Sequence, residues 1–262
     1  MKSELSSSFT CVAIALFILH SESAVAQDTI NTDRPGLSFS PWLVPTGRFQ
    51  AEFGFPNLTQ TRGDGVDTSA WNTPLQLRYG LSSSLELRLG SSMYNVVRDN
   101  NTHETVEGFG DAEIGAKVAL CDADGGACPK AALVGGVRLP IGSDEFTSHQ
   151  PGYNLNLAAD WDLGNGNVMR GLAGFVSTPV GSDDATNGIF DAVFLRTFDA
   201  QWSGYAELGY LPGFHAASDQ AFAGAGVAFL VSNDVQLDAF GDFGLNDASP
   251  DAIVGFGISW RH

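Results

Sequence analysis

The stretch Val235–His262, VQLDAFGDFGLNDASPDAIVGFGISWRH, decides the fold. Apolar and polar residues alternate along its first arm, give way to the polar residues 246–251, and alternate again up to Trp260. A period of two is typical of a β-strand, because successive side chains point to opposite faces. The stretch therefore predicts a hairpin with one apolar and one polar face.

The two faces of this hairpin also differ in charge. Leu237 and Phe243 share the apolar face, whereas Asp238 and Asp242 share the polar one. In a β-sandwich the apolar face would pack against a second sheet. In a membrane barrel the apolar face would contact lipid and the acidic face would line water.

The N-terminus has the features of a secretory signal peptide. Lys2 precedes an apolar run at residues 11–19, and the small residues 24–26 form a cleavage site, so residues 1–26 are expected to be removed on export. No segment reaches the roughly 20 apolar residues of a membrane-spanning helix. Any membrane insertion must therefore use strands closed into a barrel.

Composition narrows the classes further. The net charge of −17 argues against nucleic acid as a partner. The 31 glycines and the frequent aromatic residues are typical of an all-β protein with many turns. A mean hydropathy near zero is too polar for a helical membrane protein but ordinary for a barrel.

Two cysteines remain after export, Cys121 and Cys128. They flank a short glycine-containing loop, so in an oxidising compartment they are expected to form a disulfide across a hairpin. Metal binding is the alternative, but two thiols alone make a poor zinc site. We expect neither a metal nor a cofactor.

Residues 27–46 do not resemble a strand, because three prolines interrupt them. They predict an N-terminal periplasmic or plug segment, and Phe39 and Trp42 favour an ordered segment over a disordered tail. From residue 47 to 262 alternation recurs in about twelve segments, each near the roughly 9 to 11 residues of a membrane-crossing strand.

The connections between these segments alternate between short and long. Short periplasmic turns and long outer loops are typical of outer-membrane barrels. The sequence thus predicts an all-β fold, a transmembrane antiparallel β-barrel of about 12 strands with both termini on the periplasmic side. Long loops are predicted at residues 62–70, 98–110, 143–152, 180–188 and 212–220, and short turns at 82–84, 164–167, 200–201 and 232–234.

Charged residues on the polar face of each strand are the candidates for lining the lumen. An Arg or Lys facing lipid at mid-depth would cost about 2–4 kcal/mol, so these side chains should point inward. The candidates are Glu52, Arg78, Glu86, Arg88, Glu113, Lys117, Arg138, Asp160, Asp162, Arg170, Glu207, Asp238 and Asp242.

Two roles are open to these charges. Opposite charges on neighbouring strands could pair and fill the interior, as for Glu86 with Arg78 or Arg88, and for Glu113 with Lys117 or Arg138. Acids without a partner could give the lumen a negative lining instead. The expected unpaired acids are Asp160, Asp162, Asp238 and Asp242.

An outer-membrane lipid-modifying hydrolase is an alternative. Ser148 and His149 are adjacent, but they lie in a predicted outer loop where no ordered acid completes a triad. His103 and His215 lie in other loops, where solvated histidines are common. We therefore expect no catalytic residue and no enzyme activity. A filled structural or adhesion barrel is the third alternative.

Several fragments together resemble one family. They are Thr32-Asp33-Arg34-Pro35 before VPTGRFQAE at 44–52, GFGDAEIGAK at 108–117, LPIG at 139–142, GLND at 244–247 and GFGISWR at 255–261. In this order they resemble the outer-membrane β-barrel transporter family named for the meta-pathway of phenol degradation. The resemblance covers the exported chain and implies a passive transport role without naming a substrate.

The expected function is therefore an outer-membrane channel or passive transporter for small molecules, aromatic or hydrophobic ones included, in a Gram-negative cell. The expected partners are outer-membrane lipid and lipopolysaccharide, small-molecule solutes and the barrel-assembly machinery, with no nucleic acid. Barrels of this kind commonly end on an aromatic residue that is similar to an assembly signal, whereas here Arg261 and His262 follow Trp260.

Overall fold

The computed structural model describes residues 29–63, 65–122, 128–180 and 183–262. These ranges contain sixteen β-strands, and none of their residues belongs to a helix that could cross a membrane. The predicted signal peptide, residues 1–26, lies outside them. The strands are β1 (Phe49–Gly63), β2 (Val66–Asn72), β3 (Leu75–Gly80), β4 (Leu85–Ser91), β5 (Tyr94–Asp99), β6 (Thr105–Phe109), β7 (Ala112–Cys121), β8 (Lys130–Leu139), β9 (Gly152–Gly164), β10 (Asn167–Val180), β11 (Asp183–Thr197), β12 (Trp202–Leu211), β13 (Gly213–His215), β14 (Gln220–Ser232), β15 (Val235–Gly244) and β16 (Ala252–Arg261).

Twelve of the strands close a barrel. The order is β16-β15-β14-β12-β11-β10-β9-β8-β7-β4-β3-β1, and β1 pairs with β16 to complete the ring. Each of these pairings is antiparallel. Closure leaves no strand edge unpaired at the seam. The predicted antiparallel barrel of about twelve strands is confirmed.

The other four strands extend the wall beyond one end of the barrel. The second half of β1 pairs with β2, β2 with β5, and β5 with β6, while β13 pairs with β11. The long loops predicted at residues 62–70, 98–110 and 180–188 are therefore wrong, because most of their described residues continue the strands, whereas the loop predicted at 212–220 contains only the short β13. Above a membrane both faces of a strand meet water, so the apolar alternation that identifies a strand is lost.

The two ends of the barrel differ. The tight turns at residues 81–84, 165–166, 198–201 and 233–234 share one end of the barrel with Ile30 and His262, and we call this end the inner end. Asn165 and Gly166 both have positive φ, 54° and 75°, as a two-residue hairpin turn requires. The predicted disulfide between Cys121 and Cys128 is confirmed and also lies here. The opposite end is called the outer end.

Burial in this barrel is the reverse of burial in a water-soluble protein. The largest fully buried side chains include Arg78, Lys117 and Glu86, whereas Leu208 and Phe55 are each 63% exposed on the outside. Charged residues rarely lie buried in a soluble domain. An apolar exterior around a polar interior is instead the pattern of a barrel in lipid.

Aromatic side chains form belts on the outer surface. Exposed rings lie near the inner end, at Tyr79 and Trp260 among others, and near the outer end, at Tyr153 and Phe243. Membrane barrels place aromatic residues at both water–lipid interfaces. The parts of the strands that lie between the two aromatic belts therefore face the hydrocarbon of the membrane.

Candidate functional site

Residues 29–46, which we call the lumen segment, lie inside the barrel. The segment begins at the inner end, where Ile30 N donates to Asn233 O at 2.7 Å. It leaves at the same end, where Thr46 forms a β-bridge with Gly80. Between these points Ser40 is fully buried. The segment thus enters the lumen from the inner end and returns.

One residue of the segment lies among three cations of the wall. The carboxylate of Asp33 is 2.6 Å from Arg88 Nη1, 2.8 Å from Lys117 Nζ and 3.6 Å from Arg78 Nη1. These cations stand on β4, β7 and β3, which are adjacent in the barrel. Asp33 is therefore the counter-ion of a patch that spans three strands.

Two wall carboxylates complete this group. Arg78 Nη1 lies 2.6 Å from Glu52, and Arg78 also holds Glu86 through Nε at 2.8 Å and Nη2 at 2.9 Å. Arg88 Nη1 is 3.0 Å from the same Glu86 carboxylate. We call Asp33, Glu52, Arg78, Glu86, Arg88 and Lys117 the ion cluster. It contains three cations and three carboxylates, none of its residues more than 9% exposed.

The ion cluster also binds the backbone of the lumen segment. Glu52 accepts hydrogen bonds from the amides of Asp33 at 2.9 Å and Arg34 at 3.0 Å, and Glu86 accepts one from Val44 N at 2.8 Å. Lys117 Nζ donates to Ser40 O at 2.6 Å. Hydrogen bonds to charged groups are about twice as strong as neutral ones. The segment is thus held firmly on this side.

Burial alone would raise the pKa of Asp33, but the charges of Arg78, Lys117 and Arg88 hold this pKa well below its ordinary range. A carboxyl whose pKa is lowered on folding stabilises the fold above its unfolded pKa. That contribution is lost only as the pH falls through the folded value. Asp33 therefore keeps the segment bound at neutral and mildly acidic pH.

The opposite side of the segment meets β11, β12 and β15. Arg34 Nη2 is 3.0 Å from Asp238 and also donates to Phe256 O at 3.1 Å. The Arg34 guanidinium lies 5.8 Å from the ring centroid of Phe240. Leu37 N donates to Glu207 at 3.1 Å. Apart from Arg34, the donors on this side are neutral.

Three acids on this side have no ion-pair partner among the described residues. Asp191 accepts a hydrogen bond from the Ser38 hydroxyl, Glu207 accepts one from Leu37 N, and Asp242 lies beside Glu207 on the wall. Each also carries one buried oxygen without a partner in the described ranges. This wall therefore carries three carboxyl groups with no cation paired to them among the described residues, in contrast to the balanced ion cluster.

An apolar stripe runs across the inside of β9 to β12. Leu172 and Val176 lie on the same face of β10 as Arg170, which conflicts with simple alternation. Inside the barrel, Leu172 packs with Ala158 and Ile189, and Leu37 and Phe39 of the lumen segment cover the group. We call Ala158, Leu172, Val176, Ile189 and Leu211 the apolar stripe. It accounts for the irregular pattern of β10.

The lumen segment separates two cavities. The inner cavity, of about 460 Å³, lies between the segment and the wall from β10 to β15, and Tyr205 and Arg170 are among the residues that line it. The outer cavity, of about 740 Å³, is lined by Arg138 and Phe146 among others. Arg34 lines both cavities. It therefore stands in the partition between them.

The loop at residues 140–151 forms one wall of the outer cavity. The Asp111 carboxylate accepts hydrogen bonds from Gly142 N at 3.0 Å and Ser148 N at 3.2 Å, and Ser143 N donates to Phe109 O at 2.8 Å. Burial raises the pKa of Asp111, but these donors hold it below its ordinary value. The loop is thus fixed over the outer mouth and brings Phe146 to the cavity.

The structure places most of the predicted lumen residues inside the barrel. Glu52, Arg78, Glu86, Arg88, Lys117, Asp160, Arg170, Glu207 and Asp238 are buried, and Glu113, Arg138 and Asp242 are partly buried. Asp162 is the exception, because it is exposed next to a turn and accepts a hydrogen bond from Gly164 N at 2.8 Å. The strand face predicted for Asp162 was right, but the residue lies at the inner rim of the barrel rather than within the lumen.

The pairing of these charges differs in part from expectation. Glu86 contacts Arg78 and Arg88, but Lys117 binds Asp33 rather than Glu113. Two acids expected to be unpaired are paired. Asp160 binds Arg170 through two hydrogen bonds of 2.7 and 2.9 Å, and Asp238 binds Arg34.

The residues proposed for a hydrolase are not arranged as a catalytic dyad. The Ser148 hydroxyl contacts Asp111 and Gln150 O, and the exposed His149 has a positive φ of 57°. His103 and His215 belong to other connections at the outer end. Within the described ranges no group of three or more His, Cys, Asp or Glu side chains could hold a metal ion.

A closed twelve-stranded barrel with an apolar exterior and a charged interior defines an outer-membrane type of β-barrel protein. The family model described as MetA-pathway of phenol degradation matches residues 32–262. The chain therefore belongs to this family. Comparison with curated proteins gives no significant match.

Solved structures share the fold at low sequence identity. The COG4313 outer membrane channel from Pseudomonas putida F1 is similar with a TM-score of 0.62 and 12% identity, over 84% of this chain and 97% of that one. The β domain of the Bordetella autotransporter BrkA has a TM-score of 0.57 and 16% identity, over 82% and 98%. The NanC porin has a TM-score of 0.54 and 10% identity, over 81% and 98%.

Proposed function

We propose that the protein is a channel for small molecules in the Gram-negative outer membrane and that the lumen segment closes it. The observation that carries this proposal is the pair of cavities, one on each side of the segment, which adjoin at Arg34. A solute could pass if the segment shifted away from the apolar and acidic wall. The ion cluster, whose charges balance, would keep the segment attached to β3, β4 and β7 during this shift.

The interior supports a channel over a filled structural barrel. Eight-stranded barrels are just wide enough for their own side chains to fill, whereas wider barrels can leave space. Here twelve strands enclose cavities of about 460 and 740 Å³. Two of the similar structures are an outer membrane channel and a porin, which agrees with this proposal. We propose no catalytic role.

The remaining parts of the chain fit the same proposal. Residues 1–26 would direct export and be removed, residues 27–46 would act as the plug, and residues 47–262 would form the transmembrane barrel. The barrel-assembly machinery would insert it, and lipid would surround the apolar exterior. The acidic outer strands and loops would face lipopolysaccharide.

Replacing Arg34 with glutamine is expected to raise single-channel conductance severalfold in planar bilayers. The change removes the guanidinium from the partition and leaves the Asp238 carboxylate without its partner. A negative constriction favours cations. The reversal potential in a KCl gradient should therefore shift toward potassium selectivity.

Arg98→Gln is the matched control, because Arg98 is an exposed arginine on β5 outside both cavities. It should conduct like the wild type. Equal currents from Arg34→Gln and Arg98→Gln would show that Arg34 is not part of the partition. If folded wild type and Arg34→Gln both gave no discrete current steps, the channel function itself would be wrong.

A further inference from the structure

Arg138 is an arginine of the outer cavity that has no ion-pair partner among the described side chains. Its Nη1 donates to Thr178 Oγ1 at 3.2 Å, and the side chain is only partly buried. The other arginine of this cavity, Arg34, is bound to Asp238. A guanidinium has five donors, so most of those of Arg138 remain open to the cavity.

The neighbouring acid does not neutralise Arg138. Glu113 stands opposite Arg138 in the β7–β8 register. However, a Cβ at position 136 would lie 2.6 Å from Glu113 Oε1, so the Glu113 carboxylate leans over Gly136 toward the inner end. Arg138 instead leans toward Thr178 on β10. The two charges diverge because glycine leaves room for the carboxylate.

The apolar stripe begins on the side toward which Arg138 leans. Thr178 and Val176 are successive inward positions of β10, and Leu172 follows farther along the same face. Phe146 and Pro179 add apolar surface to the cavity. The wall therefore offers a cationic group at its outer end and apolar side chains farther in, with Asn156 lying over Gly174 between Val176 and Leu172.

We propose that the outer cavity binds a small organic anion with an apolar body, such as an aromatic monocarboxylate. Arg138 would hold the carboxylate, and the body would lie toward Phe146 and Val176. The cavity volume of about 740 Å³ is within the usual range of roughly 300–1,000 Å³ for ligand sites. This inference rests on the proposed channel function and names the solute class.

The other classes of solute fit the cavity less well. An organic cation could meet Glu113, but this carboxylate leans over Gly136, whereas Arg138 leans toward Thr178 and the apolar stripe. A neutral aromatic molecule would contact the apolar surface but would offer no negative charge to Arg138. Its complex would therefore lack a charge-assisted hydrogen bond. An anion that also has an apolar body is the ligand that uses both features.

The stripe also suggests the route out of the outer cavity. Along β10 the stripe leads from Thr178, at the outer cavity, to Arg170, at the inner cavity. Eight residues of strand span about 26 Å. Leu37 and Phe39 cover the stripe by apolar contact. Displacing these two side chains would expose the path while the ion cluster stays intact.

The test is equilibrium binding to the folded, detergent-solubilised protein, followed by fluorine NMR. The probes are 4-fluorobenzoate, 4-fluorobenzylamine and 4-fluorobenzyl alcohol, which differ in charge but have similar bodies. We expect the benzoate to bind at least tenfold more tightly than the other two. Arg138→Gln should weaken benzoate binding roughly tenfold or more, since a hydrogen bond to a charged group is lost.

Three variants make this result specific. Arg98→Gln, the exposed arginine outside the cavities, should bind the benzoate within about twofold of the wild type. Val176→Thr keeps the shape of the side chain and replaces one methyl group with a hydroxyl, so it should weaken benzoate binding severalfold by making the apolar stripe more polar. Glu113→Gln should leave benzoate binding equal or stronger.

Equal benzoate affinities for Arg138→Gln and Arg98→Gln would overturn the inference, and so would tighter binding of the benzylamine. Because the readout is binding, it does not depend on conduction. A protein that conducts but shows no preference for the benzoate contradicts this inference alone. A protein that binds the benzoate through Arg138 but passes no current contradicts the channel alone.

Discussion

Lys117→Met is expected to lower the free energy of unfolding by about 3–5 kcal/mol, the usual cost of removing one partner from a buried ion pair. Lys117 is fully buried and donates to Asp33 at 2.8 Å and to Ser40 O at 2.6 Å. Its loss would leave three carboxylates against two cations. The measurement is a urea titration in lipid vesicles followed by tryptophan fluorescence.

Lys130→Met is the matched control, because Lys130 is the other lysine in the barrel. It pairs with the exposed Asp122 and lies 4.6 Å from the Trp42 ring centroid. Contacts of this kind contribute about 1 kcal/mol. The double variant Lys117→Met with Asp33→Asn should lose less than the sum of the single losses, because each removes the other's partner. If Lys117→Met and Lys130→Met lowered the free energy of unfolding equally, the role of the ion cluster would be contradicted. The same holds if the losses from Lys117→Met and Asp33→Asn were strictly additive.

Asp33→Asn is expected to open the channel. The amide keeps the size of the side chain but leaves Arg78, Arg88 and Lys117 facing only two carboxylates. A loss of about 3–5 kcal/mol in holding the segment would raise the ratio of open to closed channels at least a hundredfold. Single-channel recording should show long openings of the Asp33→Asn variant, whereas the wild type should open only rarely.

Asp247→Asn, a change of the same kind at an exposed position of the outer end, serves as the control and should leave the currents unchanged. The Asp33 variant should also make the lumen segment a target for protease added from the inner side. Long openings without increased cleavage would place the gate elsewhere. Currents identical to those of the wild type would refute the role of Asp33.

Alternation predicted the strand number and the inward face of most charges, because a strand has a fixed period and lipid excludes ions, and the order of short and long connections favoured a barrel over a sandwich. The same rule could have identified Asp191, which alternates with the outward Phe190. It could not place Asp162 correctly, because strand face says nothing about depth along the barrel axis.

The sequence could not predict the ion pairs that involve the lumen segment. Asp33 and Lys117 are 84 residues apart, and Arg34 and Asp238 are 204 apart. Alternation assigns a face to each strand residue but assigns no contact to a segment without a period, such as residues 29–46. Leu37 and Phe39 belong to this segment, so their packing over the apolar stripe is seen only in the structure.

The most direct test of the account is to attach the lumen segment to the wall and record the current. Ser38 donates a hydrogen bond to Asp191 on β11, so Ser38→Cys with Asp191→Cys places two thiols near each other, in a background with Cys121→Ser and Cys128→Ser. A short bis-methanethiosulfonate linker should abolish single-channel openings, and a reducing agent should restore them. If the linked and reduced proteins carried the same current, the segment would not close the channel.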